Sequence, residues 1–231
     1  MQNRVIEESV SFFDRWPESV RQKHATAVKI LINEKHWEGC DDLVLTEEIQ
    51  TAIAAQAAIM LVGVENYYFD ALHTLLIFPE NYEREIQDGL VRSEQSLAGE
   101  AWQDGRISLS WAQVQHGFMY PEDGHNVVIH EFAHHIDAVS GSMDGRPVLS
   151  QNSDQRLWNQ VSQREYQQLV HEVQSMKPTL LDSYGATNEA EFFAVASEFF
   201  FELPDLLSRE HALLYDLLVK LYCVDPREWI G

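Results

Sequence analysis

Val127-Val128-Ile129-His130-Glu131-Phe132-Ala133-His134-His135-Ile136-Asp137 sets an H-E-x-x-H pattern inside an apolar run. On an α-helix, His130 and His134 lie one turn apart and project from one face. Both imidazoles then reach the same metal ion, with Glu131 beside them near a metal-bound water. The flanks favour a helix: Asp123 or Asn126 can cap its start, and Gly141 suits its end. Val128, Ile129, Phe132, Ala133, Ile136 and Val139 surround the polar residues, so the helix is expected to be buried. Buried histidines and a glutamate need partners, because an unpaired buried polar group is costly. A metal ion supplies one; ordinary hydrogen-bonded core histidines are the bland competing reading.

Two histidines do not complete a catalytic zinc site, which has three protein ligands and an open position. A metzincin would carry Gly at position 137 and a ligand at 140, where this chain has Asp137 and Ser140. The third ligand is therefore expected farther along, on a second helix. Residues 188–202 place four glutamates in an apolar segment. Glu191 and Glu198 share a face, while Glu189 points elsewhere. Glu191 as ligand with Glu198 as its supporting partner is one geometry that fits. The other has Glu189 and Glu202 in solvent and Glu191 as a plain helix-start charge near the positive end of the helix dipole.

The remaining chain frames this pair of helices. Residues 4–16 and 18–35 read as helices broken at Trp16-Pro17, with His24 and His36 on the surface. Thr46 caps an Ala-rich interior helix running to about Val62. Residues 73–78 read as a strand closed by Pro79. Residues 97–102 and 106–111 flank Gln103-Asp104-Gly105 as a β-hairpin, so a small sheet precedes the H-E-x-x-H helix. Its outermost strand could pair with an extended peptide substrate. Residues 112–125 and 141–153 read as loops, and 154–176, 188–202 and 208–223 as helices, with His171 and His211 on the surface. The fold class is α+β: mostly helical, with a small mixed sheet. Residues 1–231 are expected to form one domain, with the helical N-terminal segment, residues 1–65, packed on its core.

Composition excludes several functions. A formal net charge of −21 repels phosphates, so direct nucleic-acid binding is not expected. Hydrophobic residues make up 45%, enough for a core without disulfides; Cys40 and Cys223 are expected reduced. The start, Met1-Gln2-Asn3-Arg4, lacks the apolar core of a signal peptide, and the apolar run near residues 53–64 is too short for a membrane span. A cytoplasmic protein is expected.

Two segments carry a resemblance. Residues 124–137, from Gly124-His125-Asn126 through Ile136-Asp137, and residues 184–200, from Tyr184-Gly185-Ala186 through Phe199-Phe200, resemble the Mlc titration factor A family of zinc peptidases. The likeness is dense from about residue 70 to residue 207. It implies a zincin-like core similar to that of anthrax lethal factor. It also implies one zinc ion held by His130, His134 and Glu191, a gluzincin-like set, with Glu131 as general base. Tyr184, seven residues before Glu191, matches the tyrosine of lethal-factor-like sites and could donate to the developing oxyanion; packing against the core is its bland role. Asp137 either orients a histidine ring or sits on the surface. His125 and His135 point away from the ligand face. The family further implies aminopeptidase-like hydrolysis of a peptide or protein substrate, and binding of a transcription repressor. The alternative is a regulatory protein that mainly sequesters an Mlc-like glucose repressor, with hydrolysis secondary.

Overall fold

The computed structural model describes residues 2–88, 91–102 and 104–229, and for 82–88, 91–97 and Trp102 the backbone alone. The elements in order are α1 (Gln2–Ser9), α2 (Glu18–Glu34), β1 (His36–Gly39), α3 (Glu47–Ile59), β2 (Thr74–Phe78), β3 (Tyr82–Asp88) and β4 (Val91–Leu97). Then follow β5 (Gly99–Trp102), β6 (Arg106–Ser110), α4 (Trp111–Met119), α5 (Val127–Ala138), α6 (Asn152–Gln174), α7 (Glu189–Glu202), α8 (Pro204–Glu210) and α9 (Ala212–Tyr222). The protein is α+β, mostly helical around a mixed four-stranded sheet.

The sheet order is β1-β2-β6-β5. β1, β2 and β6 run parallel, and β5 returns antiparallel to β6 across the turn at Asp104-Gly105. Gln103, the first residue of the expected turn, lies outside the described residues. Leu75 pairs with Ile107 and Ile77 with Leu109, and all four are fully buried. Period-two alternation thus turns one face of the central strands into the core. α5 packs between this sheet, α3 and α7. α3 fits there because Ala52, Ala54, Ala55, Ala57 and Ala58 let backbones approach closely, and it is buried almost throughout.

Several expectations give way to tertiary packing. The helix expected over 4–16 stops at Ser9; beyond it Phe12 and Trp16 both pack on Trp229, at 5.2 and 5.1 Å between rings, through a tight turn at Phe13–Arg15. β1 is too polar to announce itself and exists through its pairing with β2. The β3–β4 hairpin has no counterpart among the expected elements. The expected loop 112–125 begins as α4, capped by Ser110 Oγ, which accepts from Gln113 N. The expected helix 208–223 is two helices, α8 and α9, and α8 begins at Pro204, whose missing N–H does no harm at a helix start. His211 is not a surface residue: its Nδ1 lies 2.8 Å from buried Glu165. Cys40 and Cys223 are both free thiols. Among the described residues no helix is long and apolar enough to cross a membrane.

His24 is the plainest correction: expected on the surface, it is fully buried. Its Nε2 donates to Ala55 O at 2.8 Å, and Phe13 and Trp16 meet its ring edge-on. Nδ1 finds no partner among the described residues. Burial lowers its pKa to about 4, against the smaller opposing effect of the Ala55 bond. The folded state therefore holds a neutral ring while the unfolded chain still takes up a proton near 6.5. This stability is fully present above pH 6.5 and is lost as pH falls toward 4, by about 3 kcal/mol in all. Urea unfolding across this window should show the loss, and it should shrink in His24→Gln; an equal fall in that variant would assign it to other groups.

Candidate metal centre

α5 starts where Asn126 Oδ1 accepts from Val128 N and Ile129 N, at 3.1 and 3.2 Å. Of the two caps considered, Asn126 is the one used. α7 starts at Asn188, whose Oδ1 accepts from the backbone N of Glu191 at 3.0 Å. Each cap lies within one turn of a candidate ligand, so local sequence sets where these side chains leave their helices.

The two helices bring three donor atoms together. Glu191 Oε2 lies 2.9 Å from His130 Nε2 and 3.2 Å from His134 Nε2, and the two Nε2 atoms are 3.2 Å apart. The donor set His130, His134 and Glu191 falls within 4.8 Å and could hold a metal ion. Glu198 Oε1 lies 2.7 Å from His130 Nδ1. A neutral His130 therefore donates from Nδ1 and turns a lone pair on Nε2 toward the carboxylate of Glu191. Lone pairs facing at such distances repel unless a cation lies between them. A tetrahedral ion with bonds of about 2.0–2.2 Å separates its ligands by about 3.3–3.6 Å. The three distances are a few tenths of an ångström shorter, so the residues fit a small divalent metal.

The carboxylates also favour positive charge on the His130 ring itself. Burial alone would push the His130 pKa down, yet Glu198 and Glu191 hold it well above its ordinary value. Burial likewise raises Glu191, but the two histidines bring it down to about 2. The pocket is thus arranged around positive charge. Glu131 behaves oppositely: burial, with Glu191 and Glu198 adding to it against the pull of His130, raises its pKa to about 8.

Gly99 on edge strand β5 makes room for Glu131; a Cβ there would lie 2.6 Å from Glu131 Oε1. Sequence reasoning passes over this residue, although a glycine inside a strand pattern signals close approach. Tyr184 sits in the turn Ser183–Ala186, with its backbone N held by Asp182 Oδ1 at 2.6 Å. Its ring is 5.9 Å from that of His130, and the residue is 48% exposed, so it is not simply a core tyrosine. Burial, then Glu191 and Glu131, raise its pKa to about 12, which keeps the phenol a donor.

Other residues sort themselves by contact. Asp137 is neither a ring orienter nor a surface group: fully buried, it accepts from Gly145 N and Arg146 N at 2.6 and 2.8 Å. It ties the following loop to α5, and Trp158 Nε1 donates to Gly145 O from the far side. His135 is buried against Phe69 and His125 lies 3.5 Å from Asp182; neither belongs to the donor set. Glu198 Oε2 also accepts from Asn126 N at 2.5 Å. Glu202 is not in solvent: it is buried and accepts from Gly124 N and Asn126 Nδ2.

A family model described as Glucose-regulated metallo-peptidase M90 matches residues 1–223. The chain belongs to this family. A protein of Synechocystis sp. that carries no functional name is 36% identical over 228 residues, covering 96% of this chain and 83% of the relative. The Mlc titration factor A of Yersinia pestis is 30% identical over 217 residues, 90% of this chain and 79% of the relative. The same identity and coverage hold for the Mlc titration factor A of Yersinia pseudotuberculosis. Membership makes the chain a metallo-peptidase, and the His130–His134–Glu191 cluster is where its metal ion would fit.

The contact between Glu198 and His130 generates a test within the M90 chain. Glu198→Ala leaves His130 Nδ1 and Asn126 N without their acceptor. Metal affinity should fall about 10–100-fold, the usual effect of removing a carboxylate behind a ligating histidine. Chelator competition measures this directly, and an affinity equal to that of the unmodified chain would remove Glu198 from the site.

Proposed function

We propose that the chain is a zinc peptidase with a zincin-like, gluzincin-like site: His130, His134 and Glu191 as ligands to one ion, Glu131 as general base and Tyr184 as oxyanion donor. The observation that carries this reading is the convergence of three ligand atoms from α5 and α7 beside buried Glu131, at the edge strand β5. A divalent cation held there supplies Lewis acidity, which acidifies water and polarises a carbonyl.

The side chains divide the remaining work. Glu131 takes a proton from the attacking water and delivers it to the leaving amine. Tyr184 donates its phenol hydrogen to the negative charge developing on the carbonyl oxygen. Glu198 fixes the ring of His130, and β5 offers backbone groups to an extended substrate. The aminopeptidase-like activity comes from the resemblance alone. Residues 1–231 act as one cytoplasmic unit in this reading, with residues 1–65 packed on the core through α3.

A second role, binding of an Mlc-like repressor, rests on the 30% identity to proteins named Mlc titration factor A. Glu131→Gln should retain metal at wild-type stoichiometry and lose hydrolysis of aminoacyl and peptide substrates by about a thousandfold or more, since base and water positioning go together. Undiminished turnover would refute Glu131 as base. Repressor capture by a His130→Ala/His134→Ala chain would separate binding from hydrolysis; loss of capture would tie the two together.

A further inference from the structure

The candidate centre stands at a junction rather than at the blind end of a cavity. Gly99, His130, Glu131 and Tyr184 line two cavities at once. The larger, about 660 Å³, continues past Glu100, Ala101, Met143 and Arg146. The smaller, about 340 Å³, continues past Ala98, Gln113 and His116. Both volumes lie in the range of roughly 300–1,000 Å³ that ligand sites occupy.

The backbone beside the centre follows the same division. Ala98 lines the smaller cavity, Glu100 and Ala101 the larger, and Gly99 lies between them against Glu131. β5 is the edge of its sheet among the described residues. A peptide paired with that edge advances about 3.3 Å per residue and alternates its side chains. With its scissile bond opposite Gly99, it has residues in both arms. An enzyme confined to chain ends needs a wall one residue from the reacting bond, and among the described residues the cleft continues on either side. The wall of the larger arm is also held in place. Asp137 grips the backbone at 145–146, and Gly145, at φ +76, passes so close to Glu189 that a Cβ would lie 2.2 Å from its carbonyl oxygen.

Resting on the peptidase reading above, we infer that the chain is an endopeptidase: it cleaves bonds inside extended polypeptides, with substrate residues seated in both arms. The step is hydrolytic. The oxygen of water bonds to the carbonyl carbon, the C–N bond breaks with its electron pair on nitrogen, and the proton taken by Glu131 goes to that nitrogen.

The test uses the metal-loaded full chain and an internally quenched peptide, acetylated at its amino terminus and amidated at its carboxyl terminus, beside a chromogenic aminoacyl substrate. Mass spectrometry of the products should show cleavage at an interior bond. Gln113→Trp fills the smaller arm and Met143→Trp the larger; each should raise KM for the blocked peptide roughly tenfold, with metal content unchanged. Release of single residues only, with the blocked peptide intact, would overturn the inference and leave the peptidase reading standing. An effect from only one tryptophan would overturn it as well. Inactivity of the unmodified loaded chain on both substrates would remove the peptidase reading and the inference together. Product mapping needs no variant, so misfolding of either one leaves the question answerable.

Discussion

α7 drives three carboxylates into the protein interior on the side facing α5. Glu191 meets both candidate ligand histidines, Glu198 meets His130 and the start of α5, and Glu202 meets Gly124 and Asn126. Their spacing, seven and then four residues, keeps all three on one helical face. None could be buried alone, since desolvating an unpaired carboxylate costs more than its packing returns. The same holds for the imidazoles of α5. Each helix is thus the condition for burying the other, and the register between them sets the geometry of the site. Glu202 shows how tight the balance is. Burial raises its pKa to about 8 even though Asn126 and Gly124 donate to it.

Around this pair, apolar packing supplies position rather than chemistry. The alanines of α3 let α5 sit deep, and the buried faces of β2 and β6 support it from the sheet side. Gly99 then brings the edge strand against Glu131. Base, donor set and the outer strand of the described sheet therefore share one wall. Asp137 extends the frame by holding the loop that carries Arg146, and Arg146 pairs with Glu189 at 3.1 Å on the rim.

Much of this was legible in the residues. H-E-x-x-H has the spacing of a helical turn, so His130 and His134 had to share a face if the segment was helical. Asn126 and Thr46 announced their helices because a cap is a local bond between a side chain and a nearby N–H. The Asp104-Gly105 turn announced the β5–β6 pair for the same reason. Less legible were features made by contact. His24 looks like any histidine on a helix until α3 covers it. Asp137 offers two readings in sequence, and the structure follows neither, because its partners lie eight and nine residues on, in a loop whose path no pattern encodes. β1 is polar and short, and exists because β2 lies beside it.

The amino-acid sequence by itself determined the chemistry available: two imidazoles at one turn's spacing, a carboxylate between them, and further carboxylates on a second apolar helix. Those follow from local periodicity and capping, which operate within a few residues. Only the tertiary structure decided which distant carboxylate meets which ring, that Gly99 faces Glu131, and that the cleft runs in both directions from the centre. These depend on how helices and strands remote in the chain pack together. Close packing of side chains fixes that, and no window of sequence contains it.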